Sequence, residues 1–251
     1  MSGNKSNLRS VNAANGSAIR SKRIIDDNTK FDVLEAYKAA RTNLMFKLNS
    51  INGHNSLVFS SYSPMDGKST TCINMGITFA QTGAKVLIID ADMRKPVVHK
   101  YLETPIKPGL SDKLGNFVND ELCIYRTSYE NLFLMPAGTL PPNPTELLVS
   151  ENMSNLLNTL SPLFDYILVD APPIGIVTDA AVIGSKTKGV VMVLKGSKTR
   201  TEHVKDSIDS LEKAGARLIG CVLNSFNKSG KSYKHKKYDR YYRYSDTSNS
   251  R

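Results

Sequence analysis

Gly67, Lys68, Ser69 and Thr70 stand just behind a short apolar run, in the stretch "SSYSPMDGKSTTCIN". A glycine turn that opens a helix presents backbone N–H groups to phosphate oxygens. A lysine at that place reaches the β and γ phosphates, and the hydroxyl after it ligates Mg²⁺. The chemistry indicated is binding of ATP with Mg²⁺ along Pro64, Met65, Asp66, Gly67, Lys68, Ser69 and Thr70. Gly-Lys-Ser alone is a common accident of helix starts, and the strict pattern wants glycine at 62, where Tyr62 stands. Three carboxylates strengthen the case. "KVLIID" ends in Asp90 and runs on as "DADMRKP", which puts Asp92 two residues later, and "DYILVD" ends in Asp170. One strand-end aspartate is more often a turn or cap residue. In an open parallel sheet, however, ligands bind beyond the carboxyl ends of the strands, where these acids and the glycine turn would converge. Asp170 suits the carboxylate that holds Mg²⁺ beside such a loop.

Other elements must set these groups side by side. Short β-branched runs occur at 56–62, 85–90, 131–138, 165–170, 189–194 and 217–224. Several are apolar without alternation, the pattern of parallel strands covered on both faces. Segments 67–83, 145–160 and 200–214 have helical spacing and serve as crossovers, and a further helix at 32–48 precedes the first strand. The expected fold is one doubly wound α/β domain of the P-loop type with a mostly parallel sheet. In "LPPNPTELL" at 140–148, prolines stiffen a loop that leads into a helix capped by Asn143 or Thr145.

The chain has 251 residues, enough for one domain with a full core and appendages. Its 33 Lys+Arg against 23 Asp+Glu give a net charge of +10, and all of that excess lies at the ends. Residues 1–30 hold six basic and two acidic side chains, residues 227–251 eight and two, and residues 31–226 nineteen of each. A specific nucleic-acid groove across the fold is therefore not expected, although basic ends can adhere to polyanions or an anionic membrane. The expected division is a basic flexible segment at 1–30, the catalytic domain at 31–226 and a basic flexible tail at 227–251. No run of about 18 apolar residues and no leader-like start occur, so a cytoplasmic chain is expected. Cys72, Cys123 and Cys221 read as reduced core thiols, and four scattered histidines suggest neither a zinc cluster nor a Cys-His nucleophile. The tail stretch "YKHKKYDRYYRYSD" places Tyr233, Tyr238, Tyr241, Tyr242 and Tyr244 among basic residues. It is too polar to bury a core of its own, yet tyrosine is an odd choice for a mere solubilising tail.

These stretches resemble the bacterial tyrosine kinases, in the stand-alone cytoplasmic form associated with capsule and exopolysaccharide assembly. Ser61, Pro64, Gly67, Lys68 and Ser69 match that family's S/A-x-x-P-G-x-G-K-S/T loop, which accounts for the missing glycine at 62. "VLIIDADMRKP" at 86–96 is similar to its second phosphate element, and "FDYILVDAPP" at 164–173 to its Mg²⁺-holding strand. "PPNPTELL" and "LIGCVLN" are also similar, so the resemblance covers about residues 33–226 and the tyrosine tail. Three departures stand out: Met65 replaces a glycine, Lys38 replaces arginine in a helical E-x-x-R-x-x-R pattern that retains Glu35 and Arg41, and Lys188-Gly189 replaces Asp-Gly.

The resemblance implies a division of labour. Lys68, the backbone amides of residues 66–70 and Mg²⁺ neutralise the β and γ oxygens, joined by Arg94. Ser69, Asp92 and Asp170 hold the metal, and Asp90 orients the attacking phenol, although spacing alone does not separate the roles of Asp90 and Asp92. Asn224 contacts adenine, or is simply a strand-end turn residue. Glu35, Lys38 and Arg41 contribute to a ring-like homo-oligomer. The tyrosine cluster then becomes the enzyme's own substrate, modified in trans. A flexible tail of this length spans roughly 25 to 30 Å against a domain about 40 Å across, so a neighbour's crevice is within reach. The implied partners are the cytoplasmic segment of a transmembrane polysaccharide co-polymerase adaptor, which recruits the kinase to the inner face of the membrane, and a cognate tyrosine phosphatase.

Two other readings stay open at this level. A partitioning-type ATPase shares the fold and loop class, but it resembles its relatives in a second lysine at the place of Ser63 and lacks a tyrosine cluster. A nucleotide-binding scaffold with basic, adhesive ends would need no catalysis. Transfer of phosphate to the tail, release of free phosphate, or neither discriminates the three.

Overall fold

The computed structural model describes residues 24–118, 122–196 and 198–225; the five tail tyrosines Tyr233, Tyr238, Tyr241, Tyr242 and Tyr244 lie outside them. The apolar runs form seven strands: β1 (Ser56–Ser61), β2 (Val86–Asp90), β3 (Tyr125–Arg126), β4 (Leu132–Met135), β5 (Tyr166–Asp170), β6 (Val190–Lys195) and β7 (Leu218–Asn224). They pair in the order β3-β4-β2-β5-β1-β6-β7. Every pairing is parallel except that of β3 with β4.

Helices α1 (Phe31–Asn49), α2 (Lys68–Ala80) and α3 (Val98–Tyr101) contribute to one apolar cluster; α4 (Leu110–Leu114), α5 (Pro144–Val149), α6 (Glu151–Leu160), α7 (Asp179–Ser185) and α8 (Thr201–Lys213) contribute to the other. In the first, Leu48, Ile73 and Phe79 pack with Leu57, Phe59, Val86, Ile88 and Leu168. In the second, Leu148, Leu160, Ile183 and Leu211 pack with Val58, Leu87, Ile89, Ile167 and Val169. Successive strand residues alternate between two covered faces, which is why the runs are apolar throughout. The same alternation directs the strand-end acids: Asp90 follows Val86 and Ile88, and Asp170 follows Leu168, so both fall on the α2 face.

Several details differ from the sequence expectation. The helix expected over 145–160 is two helices, broken at Ser150, whose ψ of 158° is extended. Elements α3, α4, α7 and β3 have four, five, seven and two residues, too few for a period to show. Asn143 occupies the N-cap of α5 but makes no side-chain cap bond there, and the Thr145 hydroxyl is engaged elsewhere. Ahead of residue 31, Ile24 and Ile25 are buried; the Ile25 amide donates to Asn74 Oδ1 at 3.0 Å and Tyr129 Oη donates to the Ile25 carbonyl at 3.1 Å. The packed unit thus includes residues assigned above to the flexible N-terminal segment. All three cysteines are free, but Cys221 is exposed because β7 is an edge strand with incompletely covered faces. Among the described residues no helix is long and apolar enough to cross a membrane.

Candidate active site

The phosphate turn is built by its neighbours as much as by its own sequence. Gly67 has φ 98° and caps α2, whose first bond runs from the Thr71 amide to the Gly67 carbonyl at 2.9 Å. A Cβ at position 67 would collide with the Asn224 side-chain amide, so glycine is required for space as well as for its left-handed backbone. Asn224, at the end of β7, donates Nδ2 to the Asp66 carbonyl at 2.9 Å. Asp66 is buried and accepts the Ser63 amide at 3.2 Å, closing the loop from inside. Tyr62 stacks on His203 of α8 with ring centroids 4.0 Å apart and planes 5° off parallel. Met65 adopts φ 64° and is 89% exposed. Glycine is unstrained in that conformation, whereas a side chain there costs about 1 to 2 kcal/mol; this is the structural meaning of the replaced glycine.

Behind the turn, Lys68 Nζ lies 2.9 Å from Asp92 Oδ2, 3.3 and 3.4 Å from the two Asp170 oxygens, and 3.2 Å from Ser69 Oγ. Asp90 is directly opposite Asp170 in the β2–β5 register. The parallel sheet therefore brings the predicted lysine, hydroxyl and three acids together at one edge. The two aspartates that spacing could not separate have distinct surroundings. Asp90 accepts backbone amides from Asp92 at 3.3 Å, Val97 at 3.2 Å and Val98 at 3.1 Å, and so shapes the turn that follows β2. Asp92 pairs with Lys68 and accepts the Lys95 amide at 3.1 Å.

Burial, and then the charge of Asp170, push the Asp90 carboxyl well above the usual carboxylate range. Burial likewise raises Asp170, against the pull of the Lys68 ammonium and the Ser69 hydrogen bond. For Lys68, burial alone would lower the proton affinity, but Asp170 and Asp92 outweigh it and raise it above the ordinary lysine value. Three carboxylates around one ammonium leave the cluster short of positive charge. The donors Ser69, Asp92 and Asp170 are hard oxygens, the kind Mg²⁺ takes together with phosphate oxygens and water. Accordingly, no three His, Cys, Asp or Glu side chains among the described residues are arranged to hold an ion by themselves.

Other predicted residues have their partners outside this cluster. Arg94 donates Nη2 to Thr145 Oγ1 at 3.1 Å and faces the Asp179 carboxylate at 3.7 Å. Glu35 and Lys38 pair with each other at 2.8 Å on the exposed side of α1, whereas Arg41 turns inward and donates to the Thr78 carbonyl of α2 at 2.7 Å. The contacts of Asn224 with the Asp66 carbonyl, of Tyr62 with His203 and of Thr145 with Asp179 were not anticipated; each partner is distant in sequence and carries no local signal.

Residues 66–215 match the model of a protein family described as an AAA domain. The putative tyrosine-protein kinase CapB of Staphylococcus aureus is 38% identical over 200 residues, 80% of this chain and 87% of that protein. The tyrosine-protein kinase YwqD of Bacillus subtilis is 36% identical over 193 residues, 76% of this chain and 80% of its own length. The solved kinase domain of the Escherichia coli tyrosine kinase Etk superposes with a TM-score of 0.77 at 30% identity, covering 84% of each chain. A mostly parallel sheet with a lysine and three acids at its carboxyl edge, and relatives of this similarity over most of their length, lead to one assignment: the chain belongs to the bacterial protein tyrosine kinases.

Proposed function

We propose that this kinase uses ATP and Mg²⁺ to phosphorylate Tyr233, Tyr238, Tyr241, Tyr242 and Tyr244 in the tail of a neighbouring copy. The observation that carries the reading is the Lys68 ammonium held between Asp92 and Asp170, at 2.9 and 3.3 Å, behind the amino end of α2. An ammonium so placed exchanges carboxylate oxygens for phosphate oxygens without leaving an anionic environment. The amides of residues 66–70 and Lys68 bind the β and γ phosphates, while Ser69, Asp92 and Asp170 are the metal-holding set. Bound there, Mg²⁺ would supply the positive charge that the three-acid cluster lacks and neutralise the transferred group.

The phenol oxygen bonds to the γ phosphorus as the bond to the β–γ bridging oxygen breaks, and ADP departs with that electron pair. Asp90 orients the phenol and takes its proton late. A phenol ionises near pH 10 and an ordinary carboxyl near 4, so full prior deprotonation is implausible and alignment of the phenol is the main part of this role. Arg94 adds positive charge at the transferred group. Asn224, which holds the Asp66 carbonyl, shapes the loop beside the adenine position that the family resemblance implies.

Each phosphotyrosine adds about −1.5 to −2 charge, so full modification contributes about −8 to −10 and reverses the basic tail. That reversal loosens the ring assembled through the Glu35, Lys38 and Arg41 helix, or releases the membrane adaptor, and a cognate phosphatase resets it. Regulation of capsular or exopolysaccharide polymerisation and export by a kinase recruited to the inner membrane face follows from the resemblance. The test is intact mass and tail mapping after Mg-ATP, with and without the adaptor's cytoplasmic segment, beside a Lys68→Met control. Phosphate on the tail tyrosines is the expected result. Free phosphate without labelling would overturn the reading in favour of a partitioning-type ATPase, and no turnover even with the adaptor segment in favour of a scaffold.

A further inference from the structure

We infer that Thr145 and Asp179 are positioning residues for Arg94, joined with it in a closed relay that clips together the loops beyond β4, β2 and β5. The inference rests on the reading that Arg94 acts on the transferred phosphate. Arg94 Nη2 donates to Thr145 Oγ1 at 3.1 Å, the Thr145 hydroxyl donates to Asp179 Oδ1 at 2.7 Å, and Asp179 Oδ2 lies 3.7 Å from Arg94 Nε. The three residues belong to the connections that follow three adjacent parallel strands.

Asp179 is only 1% exposed, and its Oδ2 accepts no hydrogen bond. A buried carboxylate without a counter-charge is strongly unfavourable, and the cation beside this one is Arg94. The Arg94 side chain is itself 42% exposed, with Nε and Nη2 turned to the relay and Nη1 left for an anion. Its backbone is fixed as well. The turn at 92–95 is closed by the Lys95 amide on the Asp92 carbonyl and carboxylate, both at 3.1 Å, and that same carboxylate contacts Lys68 at 2.9 Å. One short turn therefore links the phosphate lysine to the relay. The arrangement also gives the proline-rich stretch a purpose. Pro144, at the first position of α5, is buried and presets the backbone, and the Thr145 hydroxyl reaches across to Asp179 instead of capping its own helix. A freely rotating arginine would have to be ordered in every turnover, whereas a pinned one is already aimed.

The test uses the full-length kinase with Mg-ATP and the adaptor segment, following phosphotyrosine formation per folded molecule, with thermal midpoints measured in parallel. Arg94→Ala should lower kcat about a hundredfold. Thr145→Val and Asp179→Asn should each lower kcat about tenfold while KM for ATP stays within about twofold, and Thr145→Ser should restore most of it. In the Arg94→Ala background, Asp179→Asn should have no further effect on kcat, since its influence passes through that side chain. Unchanged kcat in Thr145→Val, or an equal loss from Asp179→Asn with and without Arg94, overturns the relay and leaves the Arg94 assignment standing. Unchanged kcat in Arg94→Ala overturns both. If Asp179→Asn fails to fold, the Thr145 valine and serine pair decides the matter.

Discussion

Two buried lysines stand at opposite ends of the same sheet, Lys68 9% exposed at the carboxyl edge and Lys188 8% exposed at the amino edge. Lys68 is surrounded by carboxylates and is held charged above its ordinary value. Lys188, just ahead of β6, donates to the Leu48 carbonyl in the last turn of α1 at 2.9 Å and to Asn55 Oδ1 at 2.8 Å. Those acceptors are neutral, and burial pushes its ammonium down. A cleft of about 330 Å³ opens beside it, lined among others by His54, Lys186, Lys188 and Arg217. That cluster of basic groups invites an anion on paper. Yet Lys186 bonds Ser154 Oγ at 2.9 Å and the carbonyl of Ser150, and Lys188 satisfies the carbonyl end of α1, so these ammonium groups already serve helix ends. A buried lysine is held charged where anions surround it, and it is a structural tie where carbonyls do. The amino-edge lysine also explains the departure at Lys188-Gly189: the lysine docks α1 on the sheet.

The comparison can be broken at either end. The largest effect is expected from Lys68→Met, which should reduce tail phosphorylation about a hundredfold to a thousandfold while the chain stays folded, as read by labelling and circular dichroism. Lys188→Met should do the reverse. It strands the Asn55 amide oxygen and leaves the Leu48 carbonyl with only the Ile51 and Ser50 amides, so unfolding free energy should fall by about 1 to 3 kcal/mol with kcat per folded molecule unchanged. Loss of turnover in that variant would merge the two lysines into one functional class.

Acidity sharpens the contrast with a smaller signal. His54, beside Lys188, is lowered from its ordinary 6.5 by burial and then by the Lys188 charge, against its own backbone hydrogen bond. The unfolded chain then binds more protons than the folded one, so stability should decline as pH falls below 6.5. His99 is lowered as well and acts in the same direction. His54→Asn should flatten that slope in urea midpoints without abolishing it. Asp90 and Asp170, raised by burial, contribute with the opposite sign at the carboxyl edge: above the ordinary carboxylate range, stability is lost as pH rises through their folded-state values. The smallest change is expected from Met65→Gly, where relief of the left-handed φ is partly offset by glycine's entropy, for a net gain of about 0.5 kcal/mol in chemical denaturation.

Much of the candidate site is legible in the sequence. Strand ends could be placed because a both-faces-covered strand reads as a continuous apolar run, and Lys68, Asp90, Asp92 and Asp170 were found because each adjoins such an end or a glycine turn. What supports them was not legible. Asn224 on the Asp66 carbonyl, Tyr62 on His203 and Thr145 on Asp179 depend on contacts that no local pattern announces. The break at Ser150 was hidden because the residues on both sides of it have helical spacing.

By itself the linear chain determined the α/β class, the phosphate turn and the identities of the acids around it, since hydrophobic period and chemically specialised residues are local properties. Only the tertiary structure decided which buried lysine lies among carboxylates and which side chains contact Arg94. Those outcomes follow from the strand order β4-β2-β5-β1, which brings distant loops to one edge and sets the charge that each buried group meets.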